Sequence, residues 1–207
     1  MIKKIVVFFC YPLSVKMKIV NNFYLRYKCA LFGKFFSLSW GKCSTIDKAI
    51  FCSYEHLHIG NNVTIGKHAR IEAINKWQQT IFYPEIIIGN DVSIGPRLTL
   101  VTGSKLVIGN ACVISYDVTI TDIDHEYRQI NVCIADQPLI INETKIGDYC
   151  FIGSGSKILA GTKLGNHCIV GANSIVRGQF PDYCVLVGSP AKIIKKFNNI
   201  NKIWEKV

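Results

Sequence analysis

The fold of this chain is decided by residues 146–176, which read IGDYCFIGSGSKILAGTKLGNHCIVGANSIV. An aliphatic residue followed by glycine recurs there at Ile146, Ile152, Leu164 and Val170, at intervals of 6, 12 and 6 residues. A helix would repeat near 3.6 residues and a half-buried strand near 2, and neither gives six. The pattern therefore indicates a six-residue structural repeat, in which glycine lets the backbone bend and crowd its neighbour.

The same aliphatic–glycine pair recurs before this stretch. The further pairs are Ile59-Gly60, Ile65-Gly66, Ile88-Gly89, Ile94-Gly95 and Ile108-Gly109. The fifth place of each unit is mostly small, and its occupants are Val63, Ala69, Val92, Leu98, Cys112, Cys150, Ser156, Thr162, Cys168 and Ser174. These two places describe a short strand followed by a sharp corner. Three such sides close a triangular coil of 18 residues, and coils stack at about 4.8 Å, the spacing of neighbouring strands.

The register predicts an all-β solenoid over residues 46–190. Its complete coils cover residues 59–76, 88–105, 108–125, 146–163 and 164–181. The breaks between coils predict inserted loops at 77–87 and 126–145, and a small bulge at Leu106-Val107. A degenerate coil precedes these five, with Ile46 and Ile50 predicted to point inward. Cys112, Cys150 and Cys168 occupy the small interior place of the repeat, so they are predicted to be core thiols rather than metal ligands.

The two ends of the chain differ from the repeat. Residues 1–46 carry eight Lys or Arg and no acidic residue, so they account for most of the net charge of +10 of the whole chain. The segment 1–45 is predicted to be basic and partly helical, with mixed helical spacing from Pro12 to Phe36. The segment 191–207 is predicted to form a capping helix, because its apolar residues Ile193, Phe197, Ile200 and Trp204 fall at i, i+4, i+7 and i+11.

The charge at the ends bears on partners and location. No zinc-finger spacing or basic heptad helix supports nucleic-acid binding, so no nucleic-acid partner is expected. Basic residues interleaved with apolar ones in the first 40 residues fit the surface of an anionic membrane, and a solvated basic face on a packed helix fits equally well. The apolar run Ile5–Leu13 is too short to span a bilayer. Nine cysteines without a secretion signal argue against a disulfide framework and favour the cytoplasm, with peripheral contact at the inner face of the membrane.

Several separate motifs carry a resemblance to a known family. They are TDIDHE at 121–126, PLII at 138–141, KIGDYCFIGS at 145–154, IVGANSIV at 169–176 and VGSPAK at 187–192. In this order they resemble the hexapeptide-repeat acyltransferases, specifically the sugar and polysaccharide O-acetyltransferase branch. The resemblance implies a left-handed β-helix, acetyl-CoA as cosubstrate, no metal, a sugar or polysaccharide acceptor, and a homotrimer with active sites between subunits.

Acyl transfer from a thioester to a hydroxyl needs a base, and histidine titrates closest to neutrality. Of the five histidines, only His125 stands where the backbone leaves a coil. His56 and His58 lie in the degenerate early turn, and His68 and His167 lie at outward corners of ordinary repeats. His125 is therefore the expected general base, and one of the nearby carboxylates of Asp122, Asp124 and Glu126 is expected to orient it, with Asp122 and Asp124 as the named candidates.

The remaining site residues follow from the resemblance. Ser154 matches a residue that hydrogen-bonds the oxyanion, and Ser154, Gly171 and Ala172 match positions along the acetyl-CoA arm. Arg177, Lys192 and Lys195 match basic positions near the CoA phosphates, although Gly178 replaces a basic residue of the family and lysines stand where arginines are usual. The acceptor is expected to contact Trp77, Tyr83, Tyr127 and Arg128 in the two insertions.

Alternative functions remain open at this stage. N-acetylation of an amino-sugar nucleotide or an antibiotic would use the same donor site, and a non-catalytic β-helix subunit would use none. Zinc-dependent carbonic anhydrases share the fold but need three histidines, two of them close in sequence, and His68, His125 and His167 lack such a partner. Serine O-acetylation is disfavoured, because the large helical N-terminal region of those enzymes is absent.

Overall fold

The computed structural model describes residues 12–207. Most of the apolar run Ile5–Leu13, and the first part of the predicted N-terminal segment, lie outside the described residues. The described chain contains one long helix, α1 (Leu13–Phe36), and two 3₁₀ turns at Tyr54–His56 and Ile134–Asp136. Everything else of regular structure is strand.

The strands are short, as a six-residue repeat demands. Their bounds are β1 Ser39–Trp40, β2 Thr45–Ile46, β3 Phe51–Cys52, β4 Leu57–Ile59, β5 Thr64–Ile65, β6 Arg70–Ala73, β7 Lys76–Trp77, β8 Thr80–Ile81, β9 Glu85–Ile88, β10 Ser93–Ile94, β11 Thr99–Thr102, β12 Lys105–Ile108, β13 Val113–Ile114, β14 Thr119–Thr121, β15 Ile123–His125, β16 Leu139–Ile141, β17 Lys145–Ile146, β18 Phe151–Ile152, β19 Lys157–Ile158, β20 Lys163–Leu164, β21 Ile169–Val170, β22 Ile175–Val176, β23 Gln179–Phe180, β24 Cys184–Gly188, β25 Ala191–Asn198 and β26 Ile203–Lys206.

Three parallel sheets form the sides of a left-handed β-helix, as the repeat and the resemblance predicted. The first sheet has the order β1-β4-β9-β12-β17-β20-β23, the second runs β2-β5-β10-β13-β18-β21-β24, and the third runs β3-β6-β11-β14-β19-β22. Each of the first six coils contributes one strand to each sheet, and the last coil contributes β23 and β24 to the first two. All nine aliphatics that precede a repeat glycine, and all ten fifth-place residues, are buried. The predicted core is therefore confirmed.

At the corner between the first and second sheets, close stacking of the coils requires glycine at the second place of the repeat. A Cβ built on Gly60 would lie 2.5 Å from the carbonyl oxygen of Gly89, and one built on Gly109 would lie 2.6 Å from the carbonyl carbon of Gly147. Real Cβ atoms do not approach backbone this closely. Any larger residue would push neighbouring coils apart at this corner.

A column of side-chain amides and carboxylates runs along the corner between the first and second sheets. Asn61, Asn90, Asn110, Asp148, Asn166 and Asp182 occupy the same place in successive coils. The backbone N–H of Asn61 donates to Oδ1 of Asn90 at 2.8 Å, and the N–H of Asn90 donates to Oδ1 of Asn110 at the same distance. The bond repeats from Asn110 to Asp148 at 2.7 Å, and then from Asp148 to Asn166 and from Asn166 to Asp182 at 2.8 Å each. The corner backbone is thus hydrogen-bonded from coil to coil.

Buried cysteines fill one interior corner. Cys112, Cys150 and Cys168 are each at most 1% exposed, and Cys184 follows in the next coil with its Sγ 3.5 Å from that of Cys168. They are free thiols, in agreement with the predicted core role. Between residues 12 and 207, no cluster of three or more His, Cys, Asp or Glu side chains is arranged to hold a metal ion.

The early coil and the predicted bulge differ from expectation. The β-helix begins at β1, before residue 46, because Ser39 pairs with His58 in the first sheet. Ile46 is buried as predicted, whereas the prediction for Ile50 was wrong, since its side chain is 73% exposed. Leu106 and Val107 pair regularly within β12, so they form no bulge.

The predicted C-terminal helix over 191–207 was wrong. β25 pairs antiparallel with β24, and β26 pairs antiparallel with β25, so the chain ends as a hairpin on the second sheet. β24 is the last parallel strand of that sheet and offers unpaired backbone groups at its edge. When β25 pairs with this edge, the backbone groups of both strands are hydrogen-bonded. A helix over the same residues would leave the edge of β24 unpaired.

Helix α1 packs on the first coil through its C-terminal half. Cys29 is 7% exposed, and its Sγ accepts a hydrogen bond from the N–H of Ile46 at 3.4 Å. Gly33 is buried against the Trp40 ring, where a Cβ would clash. Within residues 12–207, no helix has both the length and the hydropathy that crossing a bilayer requires.

Candidate active site

Both large insertions leave the β-helix at the same corner, between the third and first sheets. The first spans residues 74–84, follows β6 and contains the hairpin β7–β8. The second spans residues 122–144, follows β14 and contains the hairpin β15–β16. Both begin a few residues earlier than the predicted loops at 77–87 and 126–145. The first also ends earlier, because Glu85–Ile88 is already a strand of the first sheet. We call this corner the loop edge.

The two insertions contact each other directly. The indole Nε1 of Trp77 donates to the carbonyl oxygen of Gln137 at 3.0 Å. Nε2 of Gln78 donates to the carbonyl oxygens of Ala135 and Gln137 at 2.9 and 3.2 Å. The first insertion therefore fixes the position of the second.

Gln137 holds the second insertion together from within. Its side chain donates from Nε2 to the carbonyl oxygens of Gln129 and Val132, both at 3.1 Å, and its Oε1 accepts from the N–H of Gln129 at 3.2 Å. The residue is 1% exposed. A buried amide with these partners fixes the loop's conformation. Sequence reasoning missed Gln137, because one glutamine in a polar loop gives no pattern.

His125 lies where the two insertions meet. It ends β15, opposite Leu139 of β16, and its side chain is exposed. The imidazole packs edge-on against the Trp77 ring, with centroids 5.4 Å apart and an interplanar angle of 70°. The ring is accessible to a substrate while packing restricts its orientation. These are the properties that a general base needs.

Asp122 has no free oxygen to orient His125. It is completely buried, and its carboxylate accepts hydrogen bonds from Thr102 Oγ1 at 2.6 Å, Gly103 N–H at 2.9 Å and Ser104 Oγ at 2.9 Å. These residues form the corner of the coil below, which is two residues longer than a regular one. Asp122 caps this corner and stabilises it.

Asp124 is engaged by Arg177. The guanidinium donates two hydrogen bonds to the carboxylate, Nη1 to Oδ2 at 2.7 Å and Nη2 to Oδ1 at 2.8 Å. These bonds, opposed by partial burial, hold the pKa of Asp124 below its usual range. In the described chain, neither Asp122 nor Asp124 hydrogen-bonds the His125 ring. Arg177 follows β22, two coils above β14, so the pair ties the strand that carries His125 to the β-helix.

Glu126 orders the residues after His125. Its Oε1 accepts from the N–H groups of Arg128 and Tyr127, at 3.0 and 2.9 Å, and from Nε of Arg128 at 3.0 Å. The backbone N–H of Arg128 is the main cause of a lowered pKa for Glu126. Tyr127 and Arg128 remain exposed beside His125, where an acceptor can reach them. Tyr83 is 88% exposed on the first insertion.

The predicted donor residues lie on a different corner, between the second and third sheets. Ser154 and Gly171-Ala172 follow β18 and β21 there, in adjacent coils, and Asn173 N–H donates to the carbonyl oxygen of Ser154 at 2.8 Å. Ser154 and Ala172 have small side chains at this corner. We call this corner the small-residue edge.

The predicted basic residues are divided between the two corners. Lys192 follows the turn from β24 to β25, paired with Val187, whose Cγ1 lies beside Gly171. Lys192 therefore lies near the small-residue edge, and Lys195 lies further along β25. Arg177 stands on the loop edge and is occupied by Asp124.

One chain does not bring His125 and Ser154 together. His125 follows β14 and Ser154 precedes β19, so they lie at opposite ends of the strands of the third sheet. The length of these strands, which includes Lys157 and Ile158, separates them. One side of the β-helix, at about five residues of ~3.3 Å each, is ~16 Å wide. A reaction that uses both residues must therefore take one of them from another copy of the chain.

The comparisons with known proteins agree with this architecture. A family model described as bacterial transferase hexapeptide (six repeats) matches residues 143–178. A putative lipopolysaccharide biosynthesis O-acetyl transferase, WbbJ of Escherichia coli K12, is 32% identical over 157 residues, covering 72% of this chain and 76% of that protein. The chain belongs to the bacterial hexapeptide-repeat transferases.

Two further proteins are similar to this chain. A probable acetyltransferase of Mycobacterium tuberculosis is 32% identical over 149 residues, 72% of this chain and 44% of that protein, so the chain spans less than half of that relative. A solved structure of a variant of AntD, an N-acyltransferase from Bacillus cereus, in complex with dTDP and coenzyme A, is 21% identical. It covers 81% of this chain and 88% of its own, with a TM-score of 0.68, which shows a shared fold.

Proposed function

We propose that this protein transfers an acetyl group from acetyl-CoA to a hydroxyl of a sugar, in a bacterial surface polysaccharide or its precursor. The observation that carries the proposal is the exposed imidazole of His125, packed against Trp77 where the two insertions meet. The name of the Escherichia coli relative, a putative lipopolysaccharide O-acetyl transferase, supports the acceptor class.

In the proposed reaction, His125 accepts the proton of the sugar hydroxyl as its oxygen attacks the thioester carbonyl carbon. The carbonyl oxygen becomes an oxyanion, which the Ser154 hydroxyl stabilises by donating a hydrogen bond. When the carbon–sulfur bond breaks, the imidazolium returns its proton to the leaving thiolate. The products are the acetyl ester and free CoA. Asp124 and Arg177 act as positioning residues, because they hold β15 rather than touch the reacting atoms.

The substrates would bind on the two edges already described. The arm of acetyl-CoA would lie along Ser154, Gly171 and Ala172, with Lys192 and Lys195 attracting its phosphates. The acceptor would contact the exposed side chains of Tyr83, Tyr127 and Arg128, with Trp77 forming the wall behind His125. Because the two edges are ~16 Å apart in one chain, the complete site requires two copies, and we propose a homotrimer with sites between subunits.

The compartment is also a proposal. The eight described cysteines are free thiols, four of them stacked in the core, which is typical of proteins in a reducing compartment. We therefore propose a cytoplasmic location, where disulfides are rare.

A second candidate is N-acylation of an amino-sugar nucleotide. It is favoured by the similarity to AntD, whose solved structure contains dTDP and coenzyme A. The two reactions differ in the product, since an O-acetyl ester is cleaved by mild alkali and an amide is not. Offering paired acceptors, one with a hydroxyl and one with an amine at the same ring position, separates the candidates.

The base role is tested by replacing His125. We expect His125→Ala to lower kcat by 10²–10⁴, the usual contribution of a general base, with unchanged circular dichroism and oligomeric state. His68→Ala is the matched control, because His68 is an exposed corner histidine away from the insertions. A folded His125→Ala enzyme that kept more than about a tenth of wild-type turnover would refute the role.

A further inference from the structure

Helix α1 displays a stripe of large apolar side chains that nothing in the described chain covers. The stripe consists of Leu13, Met17, Val20, Tyr24, Tyr27 and Leu31, spaced alternately four and three residues apart. Their exposures lie between 46% and 74%. Spacing of this kind places all six on one face of a helix. A continuous exposed apolar face of this size marks an interaction surface.

The opposite face of the helix packs on the first coil of the β-helix. Among the residues of α1 whose side chains the structure describes, Cys29 and Gly33 are the buried ones, and they contact Ile46 and Trp40 of the first coil. At about 100° per residue, they lie roughly 160° around the helix from the stripe. The stripe is therefore not needed to attach α1 to the β-helix.

The charge of α1 indicates what covers the stripe. The helix contains Lys16, Lys18, Arg26, Lys28 and Lys34 and no acidic residue. Lys28 and Lys34 are exposed and flank the stripe at about 60° on either side. Packing this face on the same face of a second copy would bring like charges together without a counter-charge, whereas the phosphates of an anionic bilayer would supply one.

The position of the charges also sets the orientation of the helix. Arg26 and Lys28 lie in the middle of the apolar segment, where a helix crossing a bilayer would bury them at high cost. In the plane of the interface, the apolar side chains enter the acyl boundary while lysines reach the headgroups. Tyr24 and Tyr27 suit the same depth, because their rings are apolar and their hydroxyls polar.

We propose that α1 is a peripheral membrane-binding helix that lies in the plane of an anionic lipid bilayer, with the stripe Leu13–Leu31 facing the acyl chains. Attachment would hold the β-helix at the bilayer surface. This inference is independent of the proposed acetyl transfer, since no α1 residue belongs to either edge of the active site.

Vesicle co-sedimentation of the full chain tests the charge contribution. Vesicles of phosphatidylcholine mixed with phosphatidylglycerol should bind the protein, and vesicles of phosphatidylcholine alone should bind it much more weakly. Each basic side chain near an anionic surface contributes on the order of fivefold. We expect Lys28→Gln with Lys34→Gln to weaken binding about 25-fold. The control Lys145→Gln with Lys163→Gln, an equal charge change on the β-helix, should change it by about twofold or less.

A second variant tests the apolar stripe and the competing occupant. Met17→Ser with Tyr24→Ser should abolish vesicle binding and leave the oligomeric state unchanged in analytical ultracentrifugation. If the variant instead dissociated the oligomer, or if anionic and neutral vesicles bound the wild type equally, the proposal would be overturned. Acetyl transfer to a soluble acceptor should be the same in both variants, which separates failure here from failure of the proposed function.

Discussion

At the scale of single residues, the ion pair between Asp124 and Arg177 makes a pH-dependent contribution to stability. The two hydrogen bonds from Arg177 lower the pKa of Asp124 in the folded protein. A lowered folded-state pKa means that the stabilisation is complete above the unfolded value, near 3.9, and is lost as the pH falls through the folded value. Both side chains are partly exposed, which limits the contribution to about 1 kcal/mol.

We therefore expect Asp124→Asn to lower Tm at pH 7 and to make no difference in strong acid. The Tm gap between wild type and variant should be constant above about pH 5 and should close below about pH 4. Thermal unfolding across this range measures it. The half-buried carboxylate of Glu85, which pairs with Lys105 and His58 on the first sheet, offers a control: Glu85→Gln should leave kcat unchanged, whereas Asp124→Asn should lower it through the position of His125.

Gly109 gives a second prediction at this scale. Gly109→Ala places a Cβ 2.6 Å from the carbonyl carbon of Gly147 in the next coil. Because backbone cannot yield as a flexible side chain does, the variant should lose 1–3 kcal/mol of stability, as overpacked cores do. Ser115→Ala is the control, since Ser115 holds the same place of the repeat and already has a Cβ. Equal denaturation midpoints for both variants would contradict the stacking argument.

At the scale of elements, the second insertion depends on the buried amide of Gln137. Removing it breaks three hydrogen bonds to the backbone of Gln129 and Val132, each worth about 0.5–1.5 kcal/mol. Gln137→Ala should therefore loosen residues 126–138, with faster amide exchange there and a loss of turnover. The β-helix should keep its exchange protection. Gln129→Ala, which removes an exposed side chain from the same loop, should leave exchange unchanged.

The strands built from the six-residue repeat could be predicted, because the residue types within each repeat indicate which positions are buried. Ile152 and Ser156 show their burial in the local pattern, and the same holds for the other coils. The C-terminal segment was mispredicted because Ile193, Phe197 and Trp204 satisfy a helical spacing, while the competing partner was the free edge of β24. That edge exists only after the sheet has formed.

The candidate site could be predicted only in part, for the same reason. The break in the repeat located His125. The contacts of His125 with Trp77, and of Asp124 with Arg177, join residues far apart in sequence. They depend on both insertions leaving the same corner and on the number of coils between β14 and β22. No local pattern reports either quantity.

At the scale of the whole molecule, the ~16 Å width of the third sheet, which separates the loop edge of His125 from the small-residue edge of Ser154, gives a direct test of shared active sites. His125→Ala and Ser154→Ala should each be strongly impaired alone. Unfolding and refolding them together should restore activity, because an interface that pairs the intact His125 of one chain with the intact Ser154 of another is complete. Random mixing in a closed ring makes about one quarter of the interfaces complete.

Subunit exchange has its own control. A double variant, His125→Ala with Ser154→Ala, refolded with either single variant, should recover nothing, because no combination supplies both residues. Activity is measured by release of CoA thiol. If the two single variants stayed inactive in the mixed oligomer, each site would have to lie within one chain, and the proposed trimer site would be wrong.

The column of amides from Asn61 to Asp182 has a consequence for how such a protein can change in length. Each member bonds only to the coils directly above and below it, by the same donor and acceptor. Duplicating the residues of one coil, such as 146–163, would leave every Asn or Asp of the column with an equivalent neighbour. Adding or deleting part of a coil would shift all later members away from this corner. Growth by whole turns is therefore the variation that this architecture tolerates best.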